Sequence, residues 1–335
     1  MNTLGKILAL TTFGESHGPA MGGVLDGMPA GVPIDMDALQ AFVDRRRTGR
    51  ATCSSTRDEK DRVELLSGIY QGRTLGTPIG FIVSNTDARS ADYDELANCF
   101  RPNHGDYTWQ QKYGLRDHRG GGRASARETV ARVVAGGLAL QALKPLGITV
   151  EAHVAQVGPH TDGHDMEQAI GEAARDGDTL GGIISCSVKG VPAGLGEPVF
   201  GKLQAQLAAA MMSIPSVHGF EYGDGFDMAS CRGSEVMDLF EKRDDGSIGT
   251  TTNHSGGIQG GISNGEDITM RIAFKPVPTL MREVQTVDHE GNPITLQPRG
   301  RHDVCVLSRA LPVVEAMAAL VIFDNYLIKK TNVLL

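Results

Sequence analysis

The groups able to move a proton or hold an anion collect in four stretches of this 335-residue chain. His17 lies in FGESHG and His104 in RPNHGDYT. Arg116, Arg119, Arg123 and Arg127 surround Ser125 in RDHRGGGRASARET, and Asp303 closes Arg301-His302-Asp303. Histidine is the side chain whose ordinary pKa, about 6.5, lets it give or take a proton near neutrality. Glycine neighbours let a ligand come close to the backbone. The alternative for each of these histidines is an exposed loop residue that is merely solvated.

Between Arg101 and Arg132 seven Lys/Arg face three acids, a local charge of +4 in a chain whose formal charge is −8. Gly120-Gly121-Gly122 leads into an S-x-x-E pattern at Ser125 and Glu128, the signature of a capping box. Val130, Val133, Val134 and Leu138 follow at helical intervals until Lys144-Pro145 and Gly147. Ser125 is therefore the expected N-cap. The unpaired N–H groups of the first turn, with arginines on both sides, make a receptor for an anion. An arginine-rich surface loop before an ordinary core helix is the plainer alternative.

Several chemistries are excluded. No H-E-x-x-H or paired-cysteine spacing supports a metal site, so none is expected. No G-x-x-x-x-G-K-[ST] offers a nucleotide-phosphate cradle, and no convincing βαβ context carries G-x-G-x-x-G. Five scattered cysteines, an odd number without C-x-x-C, speak against a disulfide framework and for a reducing compartment. Glycine is 43 of 335 residues, about 13% against a usual ~7%, with no tripeptide period, so the glycines serve turns and close approaches. No apolar stretch approaches the roughly 20 residues of a membrane span, which predicts a cytoplasmic protein with no membrane partner. The acidic balance disfavours nucleic acid.

The elements that must position these groups read as follows. Residues 7–12 form a strand running into the His17 loop, GGVLDGMPAGVPI is a strand and turn, and Leu39, Phe42 and Val43 mark a short helix ending in Arg45-Arg46-Arg47. The hydroxyl-rich run after it, with Arg50 and Arg57, reads as a basic flap. VELLSGIY and PIGFIVSN pair as a hairpin. ITVEAHVAQV is a strand, 164–175 a polar helix, 199–212 a helix burying Leu203, Leu207 and Met211, and 312–328 a last helix.

GGVLDGMPAG near residue 22 is echoed by GGIISCSVKGVPAG near 181, and SGIYQGRTLGTPIGFIV near 67 by SGGIQGGISNGEDITMRIAF near 255. The expected architecture is α+β: one domain over 1–335 made of two related halves, about 1–147 and 148–335, each a mainly antiparallel sheet with helices packed between. Chance similarity in a glycine-rich chain is the alternative.

FGESHG at 13–18, RPNHGDYT at 101–108, YGLRDHRGGGRASARET at 113–129, GGIQGGISNG at 256–265 and GRHDVCV at 300–306 together resemble chorismate synthase, over nearly the whole chain. The resemblance implies a β-α-β sandwich, a homotetramer and a lyase of the shikimate pathway. Its reaction would convert 5-enolpyruvylshikimate 3-phosphate to chorismate with loss of phosphate, using reduced FMN that is not consumed. It places the acid for the departing phosphate on His17, protonation of the flavin on His104 and the base near flavin N5 on Asp303. FMN contacts carry over to Arg123, Ala124, Ser125, Pro215, Ser216, Gly260, Lys275, Pro276, Val277, Pro278, Thr279 and Arg301. Substrate or NADPH contacts carry over to Arg46 and Thr52, and the charge reading adds Arg127. Position 52 carries threonine where relatives carry arginine, with Arg50 two residues earlier. Val304 stands for a common proline and Pro215 for a frequent asparagine.

The substrate so implied bears two carboxylates and a phosphate monoester, close to four negative charges, which calls for a pocket dense in arginine. Reductant would come from NADPH or through a separate flavin reductase. Two rival classes remain from sequence: an NADPH-dependent flavin reductase, and an RNA-binding module stacking Tyr107, Trp109 and Tyr113. The second is disfavoured by an aromatic content of 5%.

Overall fold

A computed structural model describes residues 1–47, 60–86, 96–297 and 303–332. Expectations placed on Arg50, Thr52, Arg57, Arg301 and His302 therefore lie outside the described residues. The first part of the chain runs β1 (Thr3–Leu4), β2 (Ala9–Gly14), β3 (Ala20–Asp26), α1 (Met36–Asp44), β4 (Val63–Leu65), β5 (Ile69–Tyr70), β6 (Arg73–Thr74), β7 (Ile79–Ser84), α2 (Asp106–Tyr113) and α3 (Thr129–Leu143). The second runs β8 (Thr149–Val157), α4 (Gly163–Arg175), β9 (Gly182–Lys189), α5 (Leu203–Met212) and β10 (Val217–Tyr222). Short strands β11 (Phe240–Lys242), β12 (Ile248–Thr250), β13 (Ile258–Gln259) and β14 (Ile262–Ser263) lead to β15 (Ile268–Phe274). After β16 (Val284–Val287) and β17 (Pro293–Leu296) comes the long α6 (Leu307–Asn332).

Alternation sets the strands: Ile79, Phe81 and Val83 of β7, and Ile268, Met270, Ile272 and Phe274 of β15, are buried while their neighbours are less so. Each sheet thus has one apolar face. The helices α3 and α6 are buried nearly all round, as a helix must be when sheets cover it from two sides. The result is an α+β molecule in which two antiparallel sheets, ordered β1-β2-β3-β7-β4 and β10-β15-β9-β8, enclose a helical layer.

Read without β1, the two orders run β2-β3-β7-β4 and β8-β9-β15-β10. The small hairpins match as well. Thr74 Oγ1 accepts from Val32 N (2.9 Å) and donates to Pro29 O (2.5 Å); Ser263 Oγ accepts from Leu195 N (2.9 Å) and donates to Pro192 O (2.7 Å). Both prolines belong to the P-A-G turns whose likeness is visible in the sequence.

Some boundaries differ from the sequence reading. α2 has no counterpart in the elements expected from sequence, because its face is polar and its apolar residues have no helical period. The helix expected over 199–212 begins at Leu203. The last helix begins at Leu307, five residues before Pro312, which costs one backbone bond while Leu307 and Ala310 bury the added turn. By length and composition α6 could cross a membrane, which no stretch was expected to do, but its residues are mostly buried among the sheets. It is the core helix.

α3 and α6 touch where neither has a bulky side chain. A Cβ on Gly136 would stand 2.2 Å from Ala316 Cβ and 2.4 Å from its Cα. Gly136→Ala should therefore lower thermal stability by about 1–3 kcal/mol despite the better helix propensity of alanine. Gly163→Ala, with nothing within 4 Å of the added carbon, serves as the control and should be neutral or stabilising. Equal melting temperatures for both variants would contradict the close crossing.

Candidate active site

The three glycines of the basic loop take φ of 59°, 79° and 52°, the left-handed region that side chains with a Cβ resist. Each also faces a different functional group. A Cβ on Gly120 would lie 2.1 Å from His17 Cε1, and one on Gly121 would lie 3.2 Å from His104 Cε1. One on Gly122 would lie 2.7 Å from Glu15 Oε2. Consecutive Cα atoms are about 3.8 Å apart, so the loop seats two histidines from distant loops side by side. His17 and His104, read separately from sequence, are brought together.

His17 follows β2, and Ser16 steadies it: Ser16 Oγ lies 3.2 Å from His17 Nδ1 and within reach of the carbonyls of Arg119 (3.4 Å) and Gly120 (3.3 Å). His104 is held from below by Asp106, the first residue of α2. Its Nδ1 is 2.9 Å from Asp106 Oδ1, and that buried carboxylate also accepts from Arg101 Nε (2.8 Å) and Nη2 (2.9 Å). Burial pushes the His104 pKa down, against the opposing hydrogen bond to Asp106. Burial would raise the Asp106 carboxyl, but the hydrogen bonds from Arg101 and His104 and their charges hold it well below the usual carboxylate range. Burial also pushes the Glu15 carboxyl up, with Arg123 pulling the other way.

Ser125 is an N-cap, accepting from Arg127 N at 3.3 Å, but the capping box is only half made. Ser125 N donates to Gly122 O (3.3 Å), while the Glu128 carboxylate binds Arg132 Nε (3.0 Å to both oxygens). A single 3₁₀ turn, Ala126–Glu128, precedes α3. The arginines divide. Arg127 turns inward, ion-paired with Asp61 and donating to Asn85 Oδ1 (2.9 Å). Arg46 reaches the same carboxylate (3.1 Å) together with Thr129 Oγ1 (2.9 Å) and Ala126 O (3.1 Å). Arg123 donates to Thr12 Oγ1 (2.7 Å), yet its buried Nη1 has no hydrogen-bond partner among the described residues, nor has Nε of Arg116.

That orphaned Arg123 nitrogen is the observation that fits an anionic cofactor such as a flavin phosphate. Arg123 and Ala124 line a cavity of about 70 Å³ with Glu15, Trp109 and Arg116. A second cavity, about 50 Å³, is lined by Arg46, Pro215, Ser216, Asp303 and Arg309, so it joins four sequence-predicted residues from both ends of the chain. Ser216 holds φ of 71° there, and its carbonyl accepts from Lys275 N (2.8 Å). Lys275 Nζ in turn donates to Asn103 O (2.7 Å), beside His104. Farther along the segment that also holds Pro276 and Pro278, Val277 O accepts from Thr179 Oγ1 (2.8 Å) and Thr279 is buried. Gly260, at the tip of the β13–β14 hairpin, lines neither cavity.

Sequence reasoning missed Asp61, Asp106 and Arg309, the last ion-paired with Asp303 and donating to Arg46 O (3.1 Å). The only available signal was that a dense run of arginines needs counter-charges somewhere.

Two histidines on a glycine loop among arginines are the groups with which a protein can exchange protons beside a bound anion. A family model described as chorismate synthase matches residues 8–327. The chain is 51% identical to a chorismate synthase of Phocaeicola vulgatus, with 99% of each covered, and 49% identical to one of Chloroflexus aggregans, covering 97% of this chain and 95% of the relative. A solved structure, "Crystal Structure of Chorismate Synthase", matches with TM-score 0.76 and 28% identity over 97% of this chain and 93% of the other. The chain belongs to the chorismate synthase family. Its function is accordingly that of a lyase in the shikimate pathway, and the flavin-reductase reading is not favoured.

Gly120→Ala should push the His17 ring from its seat and strain the loop, lowering turnover on the order of 100-fold while the melting temperature changes little. Wild-type turnover would show that the loop does not position His17. The inward turn of Arg127 alters what its removal does. Arg127→Ala leaves Asp61 buried with one cation fewer and should cost about 3 kcal/mol of stability, read as a lower denaturation midpoint; a weaker substrate KM at unchanged stability would mean that Asp61 does not hold it.

Proposed function

We propose that this site converts 5-enolpyruvylshikimate 3-phosphate to chorismate and phosphate with reduced FMN as a cofactor that ends each turnover reduced. The seating of His17 and His104 on adjacent glycines beside the unpartnered Arg123 nitrogen carries this reading. Bound reduced FMN would supply the electron-rich partner that cleavage of the allylic C–O bond needs.

The chain's own groups handle charge and protons. Arg46, with Thr52 or Arg50 of the flap, serves the carboxylates and phosphate of the substrate, while Arg127 anchors the Asp61 carboxylate that Arg46 also binds. Arg123, Ala124, Ser125, Pro215, Ser216, Gly260, Lys275 through Thr279 and Arg301 serve the flavin. His17 gives its proton to the departing phosphate, which otherwise would leave as a more highly charged anion. His104 holds a proton for the flavin near N1. Asp303, steadied by Arg309, receives the proton that balances the broken C–H bond. One C–O and one C–H bond break, a C=C bond forms, and no net oxidation occurs. The lowered pKa of His104 suits a group that must give up its proton readily.

The same reading includes a homotetramer in the cytoplasm, supplied with reduced flavin by a separate reductase or from NADPH. It also treats the chain as one domain of two related halves, for which the matched strand orders and the paired Thr74 and Ser263 bonds are the support.

With enzyme, one equivalent of reduced FMN and many equivalents of substrate under anaerobic conditions, phosphate release should run far past one turnover while the flavin stays reduced. Release that halts at one equivalent, with oxidised FMN appearing in step, would overturn the elimination.

A further inference from the structure

Asp106 has no part in the reading above, yet it is the most heavily coordinated carboxylate beside the two histidines. Its side chain is 3% exposed. Oδ2 accepts from Arg101 N (3.1 Å) and Nε (2.8 Å), and Oδ1 accepts from Arg101 Nη2 (2.9 Å). The same Oδ1 lies 2.9 Å from His104 Nδ1 and 3.3 Å from Arg116 Nη1. Arg101, Arg116 and Asp106 are thus the charged groups around the His104 ring.

Nδ1 also has Arg101 Nη2 at 3.1 Å, and the two neighbours ask for opposite tautomers. The carboxylate decides between them. An ionised carboxylate can only accept, so at 2.9 Å a bare Nδ1 would set lone pair against lone pair. Arg101 Nη2 already has Oδ1 as a closer acceptor, so it does not need the imidazole. Nδ1 therefore carries the proton and Nε2, the nitrogen 3.4 Å from where a Gly121 Cβ would stand, is the one left to exchange protons at the site. Asp106 also returns negative charge to a ring that sits between two guanidinium groups, which alone would resist its protonation.

We propose that Asp106 is a positioning residue of this enzyme: it locks His104 in the Nδ1–H tautomer and turns Nε2 towards the reacting ligand. The inference rests on the proton role given to His104 but is tested in part without it. Asp106→Leu fails in a defined way. It removes the acceptor and leaves Arg101 Nη2, 3.1 Å from Nδ1, with no carboxylate oxygen to bind and able to donate to the ring nitrogen, which reverses the tautomer.

Long-range ¹H–¹⁵N correlation on protein labelled at histidine, with the His104 signals identified by their loss in His104→Gln, reads the tautomer directly. The wild type should show a protonated Nδ1 and a bare Nε2, and Asp106→Leu should show the reverse. A bare Nδ1 in the wild type overturns the proposal whether or not any variant folds, as does an unchanged tautomer in a folded Asp106→Leu. In multiple turnover with reduced FMN supplied, Asp106→Leu should lose roughly 10–100-fold in kcat with substrate KM within about threefold. Asp106→Leu added to His104→Gln should cause no further loss of kcat. A further loss in the double variant would mean that Asp106 acts other than through His104. If His104→Gln itself turns over at the wild-type rate, it is the proton role of His104 that fails, and the tautomer result still decides for or against Asp106.

Discussion

The absence of side chains at Gly120, Gly121 and Gly122 is the constraint on which the site depends. His17, His104 and Glu15 arrive from two separate segments and each occupies space that a Cβ on one of these residues would claim. The positive φ at all three adds a second reason, since the loop could not follow this path with ordinary residues without strain. Both histidines are then fixed from the far side, one by Ser16 and the other by Asp106. The two sheets and the helical layer serve to bring the β2 end, the α2 start and the α3 start to one place.

Charge is organised more by internal pairing than the basic run implies. Arg46 and Arg127 share Asp61, Arg101 wraps Asp106, Arg309 holds Asp303, and Arg45 forks onto Glu315 (2.6 and 2.9 Å). Pairing of this kind is what burial demands, because an isolated buried guanidinium or carboxylate costs several kcal/mol. Arg45 and Arg46, just past α1, tie that end to Glu315 of α6 and, through Asp61, to Arg127 at the entrance to α3. The nitrogens left over are on Arg123 and Arg116, and their lack of a hydrogen-bond partner among the described residues distinguishes these two from the arginines that build the walls.

The strand periodicity, α1, α4 and the apolar faces of α3 and α6 were legible because burial on one side or on all sides leaves a mark at period 2 or 3.6. The likeness of the P-A-G turns was legible too, and with it the expectation of two related halves, each a sheet with helices. α2 was not, since its residues are chosen for what its first turn holds rather than for an apolar face. The reciprocal half of the capping box was misread for a related reason: Glu128 has the right spacing for Ser125, but Arg132 one turn later offers it a charged partner.

By itself the sequence determined which groups exist and which local shapes are open to them: histidines beside glycines, a triplet free to take positive φ, a serine able to cap, and motifs specific enough to imply a family. Only the tertiary structure decided which arginines pair with a carboxylate and which keep a buried nitrogen without a partner among the described residues. Asp61 precedes Arg127 by 66 residues, and Asp303 and Arg46 lie at opposite ends of the chain. No local pattern encodes such pairings, because they follow from where packed sheets and helices deliver side chains and from the cost of leaving a buried charge alone.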